Sequence, residues 1–551
     1  MDALGRDDGA LAARHLDALL KLAPDNPDVR AMRGIAANRV GDFARAARDL
    51  GVAVRAYGVP RPDTRDAFNE YALALRGVDD NDAAEQVLRD LVACESDFGA
   101  AWHNLAMVLH ARGALDEAVA AARRSVAVRS DNPGALMLLG KLLREQGRLL
   151  ASRAALLRAR TLAPDDVSIE TTLGNTLFYL GEIDPALGCF RRAAELFPDE
   201  AILHSNYATM LTHCRRYDEA IAEHEKAFAL DPTNPDVVVR RAALLLNVGR
   251  LADGWRAYDA RLDVEPTSRR WRGTPEWQGE SLSGHTLCVY REQGIGDELM
   301  FASMYDELAA GAARTIVECD PRVHTLFARS FPGIEMREQT EAGNEPSAQH
   351  GEADVVVAAG SATQHLRTDL RAFTGTPWLY ADAHAVARWE GRLAHDVGAA
   401  PYVGISWRSM IRTSERRLEY TRLDEWAPIM RHARDGAIRL VLLQYDECER
   451  EVVEAEARFG VRIHRWPDLD LKDDFDGVAA LLRALDLVIA PRNAVTMLAG
   501  ALGVPTLAIG NVGDWAECGT GQLPWFASVE CINRRVDSSW EPVLAEVGER
   551  V

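Results

Sequence analysis

Residues 101–134 read AWHNLAMVLHARGALDEAVAAARRSVAVRSDNPG, and this stretch decides the fold of the first half of the chain. It reads as two helices joined by a tight turn at Gly113, and the same pattern returns every 34 residues. Ala72, Ala106, Gly140, Gly174, Ala208 and Ala242 lie one period apart, where one helix must sit close to the next. Twelve residues after each stands another small residue: Ala84, Ala118, Ser152, Ala186, Ala220 and Gly254. Gly113, Gly147, Gly181 and Gly249 mark the turns between paired helices, and Pro164, Pro232 and Pro266 stop second helices. An earlier unit carries Gly34, Gly41 and Ala46, offset by an insertion around Gly58–Pro62.

A helix-turn-helix period of this length is that of a tetratricopeptide array. One such pair cannot bury its apolar face alone, so neighbours stack into an α-solenoid whose groove holds a peptide or protein. Asn104 and Asn206 share one repeat position, where Leu138, Thr172 and Arg240 stand in other repeats.

Working outward, 551 residues leave room for further domains, and 48% hydrophobic with 26% charged residues is ordinary for globular cores. A formal charge of −20 argues against a protein held on nucleic acid through phosphate contacts. Met1–Leu20 reads as an amphipathic helix with Asp2, Asp7 and Asp8 and not as a signal peptide, and no apolar run reaches bilayer length. The eight cysteines form no CxxC pair and suit a reducing compartment, so the expected location is cytoplasmic.

The repeats end near Pro266. An ordered connector follows, carrying Trp271, Pro275, Trp277, Gly279 and Gly284. Strand–helix alternation then begins at Thr286–Tyr290 and continues through strands near Thr315–Glu318 and Asp354–Val357, with a polar surface loop expected over Gln339–Gly351. A second α/β unit starts at Tyr402, with strands at Tyr402–Trp407, Arg439–Gln444, Val461–His464, Leu487–Ala490, Thr506–Ile509 and Val529–Ile532. A helical stretch over Asp382–Val397 separates the two units. Two parallel sheets covered by helices make a two-lobed α/β module, with ligands expected beyond the carboxyl ends of the strands.

Four loops there carry candidate chemistry. In the first, Gly294 and Gly296 let backbone approach a ligand, and Asp297 reads either as a helix N-cap or as an exposed carboxylate. Leu299 stands where a dinucleotide fingerprint needs its third glycine. In the second, Arg408 and Ser409 follow a strand end, with Arg412, Arg416 and Arg417 nearby, and read as an anion site or as surface charge. In the third, Gln444, Tyr445 and Asp446 offer an amide and a ring to a nucleobase, or ordinary packing. In the fourth, Arg492, Asn493, Ala494 and Thr496 open a helix whose first amides suit a phosphate. Asp468 and Asp470 read as carboxylates complementing a helix dipole, so neither a metal nor a cofactor is expected.

The repeats, then Pro275–Gly279, Glu292–Asp297, Ala479–Ala490 and Asn493–Pro505, resemble bacterial tetratricopeptide proteins that carry a GT-B glycosyltransferase module. The module is similar to the ADP-heptose heptosyltransferases and, more loosely, to the protein O-GlcNAc transferases, whose asparagine ladder holds acceptor peptide; that resemblance implies Asn104 and Asn206 as acceptor-binding residues, with the rest of the ladder nearly absent. The resemblance implies two Rossmann-like lobes, with repeats at 1–266, a connector at 267–283, an N-terminal lobe at 284–398 and a nucleotide-sugar-binding lobe at 399–551. It implies Asp297 as the base for an acceptor hydroxyl and the helix opening at Asn493 as the donor-phosphate site. Two departures stand out: the family shows Asp-Thr at Arg492-Asn493 and His at Met497. The architecture also resembles bacterial flagellin glycosyltransferases, which implies an inverting, metal-independent transfer to flagellin from a CMP-, UDP- or ADP-linked sugar, such as a nonulosonic acid on CMP. A carbohydrate acceptor, and a scaffold whose module has lost catalysis, are the alternatives.

Overall fold

The computed structural model describes residues 9–264, 273–339, 352–399, 401–410, 419–536 and 538–551. Arg412, Arg416, Arg417, Pro266, Trp271 and all but the first residue of the polar stretch Gln339–Gly351 therefore lie outside the described residues. The chain forms two compact units that divide between Leu196 and Phe197.

The first unit is an α-solenoid of helix pairs, from Gly9–Leu22 to Ile183–Leu196. The beat of small residues is steric. An added Cβ would stand 2.5 Å from Leu50 Cγ at Gly34, 2.5 Å from Leu156 Cγ at Gly140 and 2.8 Å from Phe190 Cε2 at Gly174. Each pair thus closes with a large side chain of one helix against a bare backbone on the other, at crystal-like density. The turns keep one geometry: Gly113, Gly147 and Gly181 have φ of 76°, 79° and 77°. Asp79, one period before Gly113, holds φ 62° without being glycine, so the paired helices impose the left-handed turn and glycine only relieves it. Asn-Pro steps open several helices, as at Asn132, which accepts from Ala135 N at 3.1 Å ahead of Pro133.

The second unit begins with two more helix pairs, Ala201–His213 with Tyr217–Leu230 and Pro235–Asn247 with Leu251–Tyr258, then a short turn of helix Arg261–Val264. In the connector, Trp277 is buried, takes Val356 O through its backbone N–H at 2.8 Å and stacks edge-on to His365 at 4.8 Å.

Two all-parallel sheets follow. The first holds β1 (Thr286–Tyr290), β2 (Arg314–Cys319), β3 (Glu335–Glu338) and β4 (Val355–Ala358), in the order β3-β2-β1-β4. The second holds β5 (Tyr402–Ile405), β6 (Arg439–Leu442), β7 (Ile463–His464), β8 (Leu487–Pro491), β9 (Thr506–Asn511) and β10 (Val529–Arg534), in the order β10-β9-β8-β5-β6-β7. The sequence pattern misses β3, a polar edge strand without an apolar run, and Gln339 just beyond it is buried, not on the surface. In each sheet the strand order reverses once, between β1 and β4 and between β5 and β8. Such a switch point opens a crevice beyond the strand ends, because neighbouring connections leave in opposite directions.

The last repeat helices pack into this α/β region. Asn247 Nδ2 donates to Gly513 O at 2.7 Å, and an added Cβ at Gly519 would lie 2.6 Å from Gly249 N. Trp255 meets Tyr258, Trp515 and Trp525 edge-on at 5.6, 5.9 and 6.1 Å, and Phe301 joins the same cluster. No described helix is long and apolar enough to cross a membrane.

Candidate functional site

The four loops singled out in the sequence include those that leave the switch strands β1, β5 and β8. The loop after β1 runs Arg291–Gly294 into the helix Ile295–Phe301. Gly294 is its N-cap, so Asp297 is not the cap; it stands half-buried in the first turn, where the positive end of the helix favours a carboxylate. Gly296 approaches the second sheet directly. A Cβ there would lie 3.7 Å from Met497 Cγ and 3.9 Å from Ala494 N. The first turn after β1, which carries Asp297, thus packs at Gly296 against the first turn after β8.

Behind Asp297 the loop is held by buried charge. Glu298 accepts from Asp320 N at 3.0 Å and lies 3.2 Å from Arg291 Nε. Burial pushes the Glu298 carboxyl up to about 7, against the pull of Arg291. Asp320 is also partly buried, yet hydrogen bonds from Arg322 hold its carboxyl below the usual range. Glu292, buried with Arg261 at 2.6 Å, also accepts from Gly360 N at 3.0 Å and so ties the loop after β1 to the loop after β4.

The second, third and fourth loops differ from expectation in what their side chains do. Arg408 is buried, and its guanidinium is bidentate with Asp446 at 2.8 and 3.1 Å and paired with Glu451. The donors that were expected to grip phosphate are therefore engaged by carboxylates, because Asp446 of the loop after β6 and Glu451 of the helix Glu449–Phe459 that follows converge on this strand end. Ser409 lies 2.6 Å from the Tyr420 hydroxyl. Gln444, expected to offer its amide to a base, is buried: Oε1 accepts from Ser406 Oγ, Trp407 N and Arg408 N at 3.0–3.1 Å, and Nε2 donates to Arg408 O and Asp446. It stitches the ends of β5 and β6 together. Tyr445 remains half-buried beside it, its phenol raised by burial.

In the fourth loop Asn493 caps the helix Ala494–Ala501, accepting from Val495 N at 3.0 Å and Thr496 N at 3.3 Å. Its Nδ2 reaches Ser406 Oγ and Arg408 O at 3.3 Å, joining the loops after β5 and β8. Thr496 is fully buried and donates to Pro491 O at 2.6 Å, so its hydroxyl does not face the crevice as expected. Arg492 is engaged within the fold too: its side chain is buried against Glu517, Asp514 and Asn533, with Asp514 at 3.4 Å and Asn533 at 2.5 Å. Backbone around Ala494 is what this helix start presents toward Gly296.

An open groove of about 630 Å³ runs along the second sheet, lined among others by Tyr445, Asp446, Glu447, Arg450, Asp470 and Lys472. Its size is that of a small-molecule cleft. Asp470 caps a turn there, accepting from Lys472 N and Asp473 N, and Asp468 pairs with Arg392 at 2.7 Å through both oxygens.

In the first unit Asn104 is buried and donates to Asn69 Oδ1 at 2.8 Å, while in the second unit Asn206 accepts from Arg240. Each candidate asparagine is thus bonded to a residue of the neighbouring repeat and not turned out alone. The sequence reading missed Tyr258, Arg261, Glu298 and Gly360. Glu292 lay inside a quoted motif, but nothing local marked Tyr258 or Arg261, which reach the site across the connector.

The Tetratricopeptide repeat family matches residues 70–133, 118–167 and 171–235. Protein FlbA of Caulobacter vibrioides (strain ATCC 19089 / CIP 103742 / CB 15) is 33% identical over 321 residues, 56% of this chain and 53% of its own length. The chain thus spans about half the length of this curated relative. Among solved structures, the Cut9–Hcn1 hetero-tetramer of APC/C is 18% identical over 46% of this chain and 49% of its own, with a TM-score of 0.36. A tetratricopeptide repeat protein from Parabacteroides merdae ATCC 43184 is 14% identical over 43% of this chain and 92% of its own, with a TM-score of 0.38. With the 34-residue beat and the helix pairs, the family match makes the N-terminal region of this chain an array of tetratricopeptide repeats.

Proposed function

We propose that this chain is a protein O-glycosyltransferase of GT-B architecture, inverting and metal-independent, whose repeats recruit a protein acceptor, flagellin. The observation that supports this reading is the convergence of two switch points: the first turn after β1 of one sheet, which carries Asp297, packs at Gly296 against the start of the helix after β8 of the other. In this reading Asp297 takes the proton from a Ser or Thr hydroxyl as that oxygen attacks the anomeric carbon. General-base assistance of this kind contributes about 10²–10⁴ in rate. The nucleotide phosphate leaves on the opposite face, toward the positive end of the helix Ala494–Ala501, where Asn493 caps two of the first amides. The base of a CMP-, UDP- or ADP-linked donor lies in the groove beside Tyr445. Arg408 and Gln444 shape that groove from behind.

A second reading is a binding scaffold. The internal engagement of Arg408, Gln444, Arg492, Asn493 and Thr496 favours it, since these are the side chains expected to hold a donor. Thermal shift of the full chain with CMP, UDP, ADP and GDP separates the two, since a scaffold responds to none. Mass spectrometry of flagellin from cells carrying the wild type, Asp297→Asn or no copy then tests the acceptor. A nucleotide response with unmodified flagellin moves the acceptor to a carbohydrate.

A further inference from the structure

We infer that the last repeat helix is a working part of this site: Tyr258 and Arg261 are positioning residues that hold the loop presenting Asp297. The inference rests on the reading of Asp297 as the reacting carboxylate. The loop after β1 has four residues, and two of them are gripped from the repeat side. The Tyr258 hydroxyl donates to Gln293 Oε1 at 3.0 Å. Arg261 donates to Glu292 at 2.6 and 3.4 Å, to Ser361 Oγ at 3.1 Å and to Tyr258 O at 3.1 Å. Asp259 accepts from Ser361 on the same side, so the loops after β1 and β4 are both anchored to one short stretch of repeat helix. The packing leaves no slack: an added Cβ at Gly360 would lie 2.8 Å from Arg261 Nη2 and 2.9 Å from Glu292 Oε1.

Stability alone does not account for this arrangement. A buried ion pair returns little net folding free energy once desolvation is counted, but it fixes geometry, because each charge is strongly disfavoured without the other. Glu292 and Arg261 have side-chain exposures of only 2% and 7%. Tyr258 lies within the electrostatic reach of Asp297 itself: burial raises its phenol most, Arg261 opposes, and the Asp297 and Glu292 charges raise it further. The ring of Tyr258 is fixed independently, against Trp255 and Trp515 at 5.6 and 5.3 Å. Its hydroxyl is therefore a separate element whose removal leaves the packing in place. Displacement of a reacting group by about 1 Å lowers turnover about 100-fold.

The test uses the full chain with Tyr258→Phe, which keeps the ring and removes one hydrogen bond, and reads two things. Hydrogen exchange at Gln293–Asp297 is expected to rise about tenfold or more, with the amides of β5–β10 unchanged. Turnover of sugar transfer is expected to fall about 10- to 100-fold with the KM for the nucleotide sugar unchanged. Gln293→Ala alone is expected to lower turnover similarly, and the double variant to be no worse than either single, because both remove the same bond. As a second pair, Arg261→Gln with Glu292→Gln removes both buried charges and is expected to recover most of the fold and loop protection that Arg261→Gln loses. Wild-type exchange in Tyr258→Phe overturns the inference, as does raised exchange with wild-type turnover. If the wild type transfers no sugar to any acceptor, the proposed function falls, and loop exchange by itself decides whether the last repeat holds the loop.

Discussion

Glu298 gives the sharpest quantitative expectation. It follows Asp297, is fully buried between Arg291 and Asp320, and holds its proton up to about pH 7 against an ordinary value of 4.5. Between those two values the folded chain keeps a proton that the unfolded chain has released. Stability therefore falls as pH rises through this window: the contribution is fully present below pH 4.5 and gone above about 7. A rise of about 2.5 units, at about 1.4 kcal/mol each, amounts to about 3.5 kcal/mol. The unit Phe197–Val551 has roughly 350 residues, and at about 2.1 cal/mol/K per residue its unfolding entropy is about 0.7 kcal/mol/K. The shift is then about 5 °C in Tm. Glu298→Gln keeps the acceptor for Asp320 N but cannot titrate. Scanning calorimetry of both proteins between pH 4.5 and 8 is expected to show the variant gaining about 5 °C on the wild type across the range. Carboxylates away from Glu298 act equally on both chains and cancel in the difference; Asp320 faces Glu298 and does not. Parallel Tm curves would refute the reasoning, because burial without a titration shift means water or a mobile partner already solvates this carboxyl.

Asp297→Asn preserves size and removes proton affinity, so turnover is expected to drop about 10²–10⁴-fold while nucleotide affinity by calorimetric titration holds; a variant that transfers sugar at the wild-type rate makes Asp297 a structural carboxylate. Arg408→Met leaves Asp446 without its buried counter-charge and is expected to lower stability in urea by about 3–5 kcal/mol, with nucleotide affinity changed little; lost affinity at unchanged stability would return Arg408 to the phosphate. Gly519→Ala places a Cβ 2.6 Å from Gly249 N at a φ of 79° and is expected to loosen the last repeat from the second sheet, seen as faster proteolysis near Gly249; an unchanged cleavage pattern would show that Trp255 and Asn247 dock it without this contact.

The repeats and the strand–helix alternation were legible in the sequence because both are local. Helix pairing needs a small residue wherever a Leu or Phe of the partner arrives, as at Gly140 against Leu156, and that need recurs at a fixed spacing. Buried parallel strands such as Val355–Ala358 read as short apolar runs, whereas the polar edge strand Glu335–Glu338 carries no such run and was missed. The positions of Asp297, Arg408, Gln444 and Asn493 beyond strand ends followed from the same alternation.

Their roles did not, because a side chain's chemistry depends on which neighbours reach it first. Asp446 and Glu451 come from the β6 side to take Arg408, and Glu517 and Asp514 from beyond β9 to take Arg492. Glu298 looks like any first-turn carboxylate until burial is known, and Tyr258 and Arg261 belong to the repeats in sequence but to the Asp297 loop in space. Sequence periodicity determined the elements and the order of their loops; only the tertiary packing decided which charges meet, since pairing across about 20 or more residues leaves no spacing to read.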